Sequence, residues 1–189
     1  MVMNLSHAGV TDWGLRHVRI EPRFIILDVG CGGGRTVQKM AGVATQGRIY
    51  GIDSADGSVA ASRDKNAQLI KTGRVEIQQA SVSHLPFLDN YFDLVSAVET
   101  HYYWSDLVKD MQEILRVLKP GAAFVIIAES YSRGNKHDKL QWLESKLLKF
   151  RKLSIDEHRE MFLSSGFSDV QIFEERNKGW ICAIGNKPI

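Results

Sequence analysis

The sequence predicts a doubly wound α/β fold, and three observations predict it. Strand-like and helix-like segments alternate over most of the chain, the first apolar run "RFIILDV" is continuous, and that run opens directly into the glycines of "GCGGG". A continuous apolar run bounded by charge and glycine is how a parallel strand reads when helices cover both its faces. Alternation of strand and helix along one chain implies crossover connections in a mostly parallel sheet.

Each element follows in order. After the glycines, "RTVQKMAGVA" has helical spacing, with Val37, Met40 and Ala41 on one side. "GRIYGID" is a second strand that ends in an acid, Asp53. The next helix runs through "SADGSVAASRDKNAQLIKTG", capped by Ser54 and ended by Gly73. "RVEIQQA" is a third strand, "LPF" a turn and "FDLVSAV" a fourth strand. In "WSDLVKDMQEILRVLKPG", Leu107, Met111, Leu115 and Leu118 share one stripe, and the proline and glycine stop the helix. "AAFVIIAE" is a fifth strand, and Ser154 with Glu157 forms a capping box for a helix that ends at Gly166. Finally "VQIFEE" and "GWICAIG" flank a short turn as an antiparallel pair. The expected sheet therefore has seven strands, mostly parallel, with helices on both faces.

Composition limits the organisation and the function classes. With 189 residues, 21.3 kDa and 44% hydrophobic residues, the chain is expected to form one domain over 1–189. No window approaches the roughly 20 apolar residues of a membrane helix, and the N-terminal residues lack the apolar core of a signal peptide, so a cytoplasmic protein is expected. Two cysteines, Cys31 and Cys182, make neither a disulfide framework nor a metal-spaced set, and no metal is expected. The net charge of +2 is too small to name a partner. Its one local excess, residues 133–152, carries Leu140, Leu143, Leu147 and Leu148 at helical spacing and reads as an inserted amphipathic helix near the substrate pocket. A solvated basic face explains its cations; contact with a nucleic acid or an acidic substrate is the alternative. Residues 1–23 are expected to form either a lid or a frayed tail, with His7, Trp13 and Leu15 suited to a lid.

The glycines carry the functional reading. In a doubly wound sheet the ligand crevice lies at the carboxyl ends of the strands, and the turn after the first strand forms its floor. Glycines there bring bare N–H groups and a helix N-terminus against a ligand, and a nucleotide-like ligand is implied. Asp53 is placed to accept both hydroxyls of a ribose. A G-x-G-x-x-G register from Gly30 would need glycine where Arg35 stands; the register found is D-x-G-x-G-x-G over Asp28, Gly30, Gly32 and Gly34. No stretch reads as a P-loop.

"ILDVGCGGGRT", "YGIDSADGSV", "LPF", "FDLV" and "EILRVLKPG", in that order, resemble the class I S-adenosylmethionine-dependent methyltransferases, in particular the small single-domain group related to the ubiquinone and menaquinone biosynthesis enzymes. The resemblance implies a Rossmann-like sheet and S-adenosyl-L-methionine as cofactor. It also implies that Gly30, Gly32 and Gly34 approach the methionine part of the cofactor, with Asp28 orienting its amino group. Asp53 then binds the ribose, Ser54 lies near the adenine, and Val98 offers backbone beside the sulfonium. Where the family usually has an aspartate that reaches the adenine amino group, five residues before the proline of "LPF", this chain has Ser81. Its hydroxyl and the amide of Val82 are the expected substitutes.

A sulfonium methyl is already activated, so the family's reaction asks mainly for alignment and exclusion of water. A base matters only if the acceptor loses a proton as it attacks. In "VETHYYWSD", just past the fourth strand, Glu99 and His101 are the candidate bases or acceptor clamps, and Tyr103 a candidate border of the methyl group. Trp104 and one tyrosine equally suit packing of the next helix. Cys31 is expected to be a small filler, since no base lies near it in sequence. The chain has no Asn-Pro-Pro-aromatic motif and no Pro-Cys pair, which points away from DNA bases, and its cysteines are too few for a thiol-rich arsenite methyltransferase. A small-molecule methyl acceptor is expected. A related protein that binds cofactor or partner without catalysis, and a nicotinamide-dependent oxidoreductase, are the alternatives.

Overall fold

The computed structural model describes residues 8–129, 131 and 152–189. In chain order these form α1 (Ala8–Leu15), β1 (Ile25–Val29), α2 (Arg35–Val43), β2 (Arg48–Asp53), α3 (Asp56–Lys65), α4 (Ala67–Lys71), β3 (Val75–Gln79), β4 (Phe92–Val98), a 3-10 turn (His101–Tyr103), α5 (Leu107–Val117), β5 (Leu118–Ala128), α6 (Ile155–Ser164), β6 (Ser168–Glu175) and β7 (Trp180–Asn186). The strands make one seven-stranded sheet in the order β3-β2-β1-β4-β5-β7-β6. β1 through β5 pair in parallel, and β7 runs antiparallel to both β5 and β6. Strand order reverses between β1 and β4, and that switch point opens the crevice.

Alternate residues of each strand feed two apolar layers, as the period of two requires. On one face Leu27, Val95 and Phe124 meet Met111 and Ile114 of α5 and Phe162 of α6; on the other, Ile26, Leu94 and Ile127 meet Val37 and Met40 of α2. Ile26, Leu27, Phe124 and Phe162 are fully buried. Among the described residues no helix is long and apolar enough to cross a membrane.

The structure departs from the expected elements in four places. The single helix expected after β2 breaks at Asn66, whose buried side-chain amide donates to the Gly34 carbonyl at 3.0 Å and to the Ser62 carbonyl at 2.9 Å. A side chain that bonds backbone in this way competes with continuous helix. Ser54 does not cap α3: Ala55 holds the cap position, and its N–H donates to Asp53 Oδ1 at 2.9 Å. The "KPG" expected to end α5 lies inside β5, because Leu118 pairs with Phe92 and the next pair is Ala123 with Leu94. Pro120, which has no N–H to give, is tolerated in that bulge, and Gly121 turns it at φ +77°. In the N-terminal segment, expected as a lid or a frayed tail, Ala8–Leu15 form the helix α1. Its Val10 is fully buried, and a Cβ on Gly14 would stand 2.6 Å from Ile127 of β5. The capping box of α6 is as read, with Ser154 accepting from the Glu157 N–H and Glu157 from the Ser154 N–H. His7 and the expected helix at 133–152, apart from Lys152, lie outside the described residues.

Candidate active site

β1 delivers the chain into the loop after Val29, and the loop's glycines serve different ends. Gly30, Gly32 and Gly34 all have positive φ, at +68°, +50° and +75°. A Cβ on Gly30 would stand 2.1 Å from Thr100 Oγ1, and one on Gly34 would stand 2.4 Å from Ser62 Oγ, so both make way for the protein itself. A Cβ on Gly32 would meet nothing within 4 Å. Gly32 alone of the three presents backbone to open space. The loop is tied down by the Cys31 N–H on the Ile52 carbonyl at 2.8 Å and by the Gly32 N–H on Asp53 Oδ2 at 2.9 Å.

Two carboxylates flank this loop. Asp28 is 1% exposed, and its Oδ1 accepts from Ser96 Oγ at 2.7 Å. Burial pushes its carboxyl up to about 7; the charge of Asp53 adds to that effect and the Ser96 hydrogen bond opposes it. Asp53 closes β2 with one oxygen on the Gly32 N–H and the other on the Ala55 N–H. Each carboxylate oxygen has a second lone pair, so both can still accept from a ligand. Cys31 fills the loop as expected: its buried thiol lies 3.7 Å from Ser62 Oγ and is pushed up to about 12, first by desolvation, so it stays protonated.

A cavity of about 630 Å³ opens at the switch point, within the range of small-molecule sites. Of the residues expected at the cofactor, Asp28, Gly30, Gly32, Asp53, Ser54, Ser81, Val82 and Val98 line it. Gly34 does not; it is packed behind the loop against Ser62 and Asn66. Ser81 Oγ accepts from the Ser83 N–H at 3.2 Å, so the hydroxyl is engaged in its own turn.

The segment after β4 divides. Glu99 and Tyr103 line the cavity, together with Tyr102 and Trp104. Glu99 adopts φ +57°, unusual for a residue with a Cβ, and its carboxylate accepts from the Glu129 N–H at the end of β5. Trp104 also stacks on Phe124 at 6.2 Å between centroids, so it packs the core and borders the cavity at once. His101 corrects the expectation of a second base, because it does not line the cavity. It is 1% exposed, its ring lies 5.4 Å from that of His158, and neither of its nitrogens has a hydrogen-bond partner among the described residues. Burial, with the nearby His158 adding, pushes it down to about 3, so it is a neutral core residue.

Thr11, Arg35, Thr100 and Asp110 also line the cavity and were not singled out from sequence. Thr100 had no sequence signal, because its approach to Gly30 exists only in the folded chain. Thr11 and Asp110 had none, because α1 and α5 reach the crevice only through tertiary packing.

The model of the family described as "Methyltransferase domain" matches residues 27–126. The chain is a class I S-adenosylmethionine-dependent methyltransferase. A demethylmenaquinone methyltransferase of Shouchella clausii is 29% identical to it, over 93% of this chain and 83% of that protein. An uncharacterised methyltransferase of Bacillus subtilis is 24% identical over 99% of this chain and 96% of that one. Solved structures share the fold. A chain of the Haloferax volcanii complex between the Trm112 methyltransferase activator and a methyltransferase superposes with a TM-score of 0.83 at 22% identity, covering 99% of this chain and 92% of that one. Phosphoethanolamine N-methyltransferase 2 of Haemonchus contortus, in complex with S-adenosyl-L-methionine, superposes with a TM-score of 0.81 at 16% identity, covering 96% of this methyltransferase and 53% of that chain. The cofactor of this methyltransferase is S-adenosylmethionine, and the cavity suits it. The open space over Gly32 admits a ligand against bare backbone, and buried Asp28 is a carboxylate that a cationic amine would stabilise.

Proposed function

We propose that this methyltransferase moves the methyl group of S-adenosylmethionine to a small-molecule acceptor by in-line displacement. One observation carries the reading: a single cavity runs from Gly32 and Asp53 to Tyr102, Tyr103 and Trp104, so donor and acceptor share one enclosure. The bound cofactor supplies an already activated methyl group. Asp28 takes the amino end of the cofactor, the loop at Gly30 and Gly32 lies along its methionine part, and Asp53 accepts from its ribose. Ser54, Ser81 and the amide of Val82 border the base, and the backbone of Val98 borders the reacting centre. Tyr102, Tyr103 and Trp104 give the acceptor an aromatic wall that keeps water out and favours a transient cation. Glu99, held by the Glu129 N–H, positions the acceptor or takes its proton. Thr11 of α1 borders the cavity. The name of one relative points the same way, since demethylmenaquinone is a small acceptor.

The test is production of S-adenosylhomocysteine by the purified protein against quinols, phenols, amines and terpenoid diphosphates, with bulk RNA, DNA and protein as further arms. Turnover on a small acceptor supports the reading. Turnover confined to a macromolecule overturns it.

A further inference from the structure

Asp110 is a carboxylate the reaction scheme leaves without a role. It sits in the first turn of α5, is 1% exposed and lines the cavity. Its only hydrogen bond among the described residues, apart from helix backbone, is a long one of 3.4 Å, from the Asp106 N–H to Oδ2. A buried carboxylate wants several donors and is costly without them. The missing donor is expected in the cavity.

Position names the donor. β3, β2 and β1 are neighbours in that order, so a cofactor with its amino end at Asp28 of β1 and its ribose at Asp53 of β2 extends its base toward the end of β3. There the chain turns at 80–85 and lines the cavity with Ala80, Ser81, Val82 and Ser83. The same turn is bound to α5: Glu113 Oε1 accepts from the Leu85 N–H at 2.8 Å, and Met111 packs in one cluster with Val82 and Leu85. Asp110 is one helical turn before Glu113, on the same side of α5. The tip of β3 itself carries no acid, because Ser81 stands there, its hydroxyl oxygen accepting from the Ser83 N–H.

We propose that Asp110 is the residue that selects the base, accepting a hydrogen bond from the exocyclic amino group of adenine across the 80–85 turn. The proposal rests on the cofactor reading above. Recognition is thereby moved from the strand end to the helix that follows β4.

Titration calorimetry with S-adenosylhomocysteine and S-inosylhomocysteine, in which oxygen replaces the amino group, tests it on the full chain. Wild type is expected to bind the adenosyl form at least about tenfold more tightly, the scale of one hydrogen bond to a charged group. Asp110→Asn, whose amide can donate to the inosyl oxygen, is expected to bring that ratio to one or below. Because each affinity is independent of the active fraction, partial misfolding of the variant does not imitate this result. A ratio unchanged in Asp110→Asn overturns the assignment, and a rise in acceptor KM alongside an unchanged ratio moves Asp110 to the acceptor side. A wild type that binds neither ligand overturns the cofactor reading as well, which separates the two failures.

Discussion

Ser96 Oγ donates to Asp28 Oδ1 at 2.7 Å between directly paired positions of β4 and β1. This bond keeps a buried carboxylate usable at the floor of the crevice. Without it, burial would act unopposed by any hydrogen bond from a neighbouring side chain.

The first prediction concerns pH and Asp28. Its folded value of about 7 exceeds the ordinary 3.8, so over that interval the native protein holds a proton the unfolded chain has released. Its contribution to stability is present below the lower value and is lost as pH rises through the upper one. Asp28→Asn should therefore gain stability relative to wild type as pH is raised from 5 to 8 in chemical-denaturation series. In wild type, cofactor binding should strengthen with rising pH over the same range and release a proton, read by calorimetry in buffers of different ionisation enthalpy. Binding without proton release at pH 6 would remove Asp28 from the ammonium site.

His101 gives the opposite sign. Its imidazole is held neutral down to about 3, whereas the unfolded chain protonates it near 6.5, so its burial costs stability progressively as pH falls below 6.5. His101→Leu should be increasingly more stable than wild type between pH 7 and pH 5, while turnover persists. Loss of turnover with an intact fold would restore His101 to the reaction.

The glycines should separate by assay. Gly30→Ala and Gly34→Ala meet Thr100 and Ser62 at 2.1 and 2.4 Å as well as a left-handed backbone, and should lower the melting temperature markedly. Gly32→Ala has open space, so its cost is the left-handed conformation alone, about 1–2 kcal/mol. Its larger effect should be weakened S-adenosylhomocysteine binding, because the new methyl enters the cavity. Equal binding by Gly32→Ala and wild type would place the ligand elsewhere.

Tyr103 is 70% exposed and lines the cavity. Tyr103→Ala should change stability by no more than about 0.5 kcal/mol and leave cofactor affinity unchanged. Its effect should fall on acceptor KM or kcat once an acceptor is in hand. A change in cofactor affinity alone would move Tyr103 to the donor half.

Local features were legible in the sequence because their causes are local. Continuous apolar runs marked β1, β4 and β5, Ser154 and Glu157 marked the start of α6, and the D-x-G-x-G-x-G register marked a backbone-lined floor with Asp53 beside it. What only the tertiary structure decided is which side chains meet across the sheet. Asp28 and Ser96 are 68 residues apart, and Gly30 is glycine because Thr100 occupies its Cβ position. Likewise, His101 and Tyr103 sit two residues apart in one 3-10 turn, yet one faces the core and the other the cavity. Spacing along a strand or helix sets periodicity, but the identity of a neighbour from a distant segment depends on crossover topology and packing, which no single stretch of chain encodes.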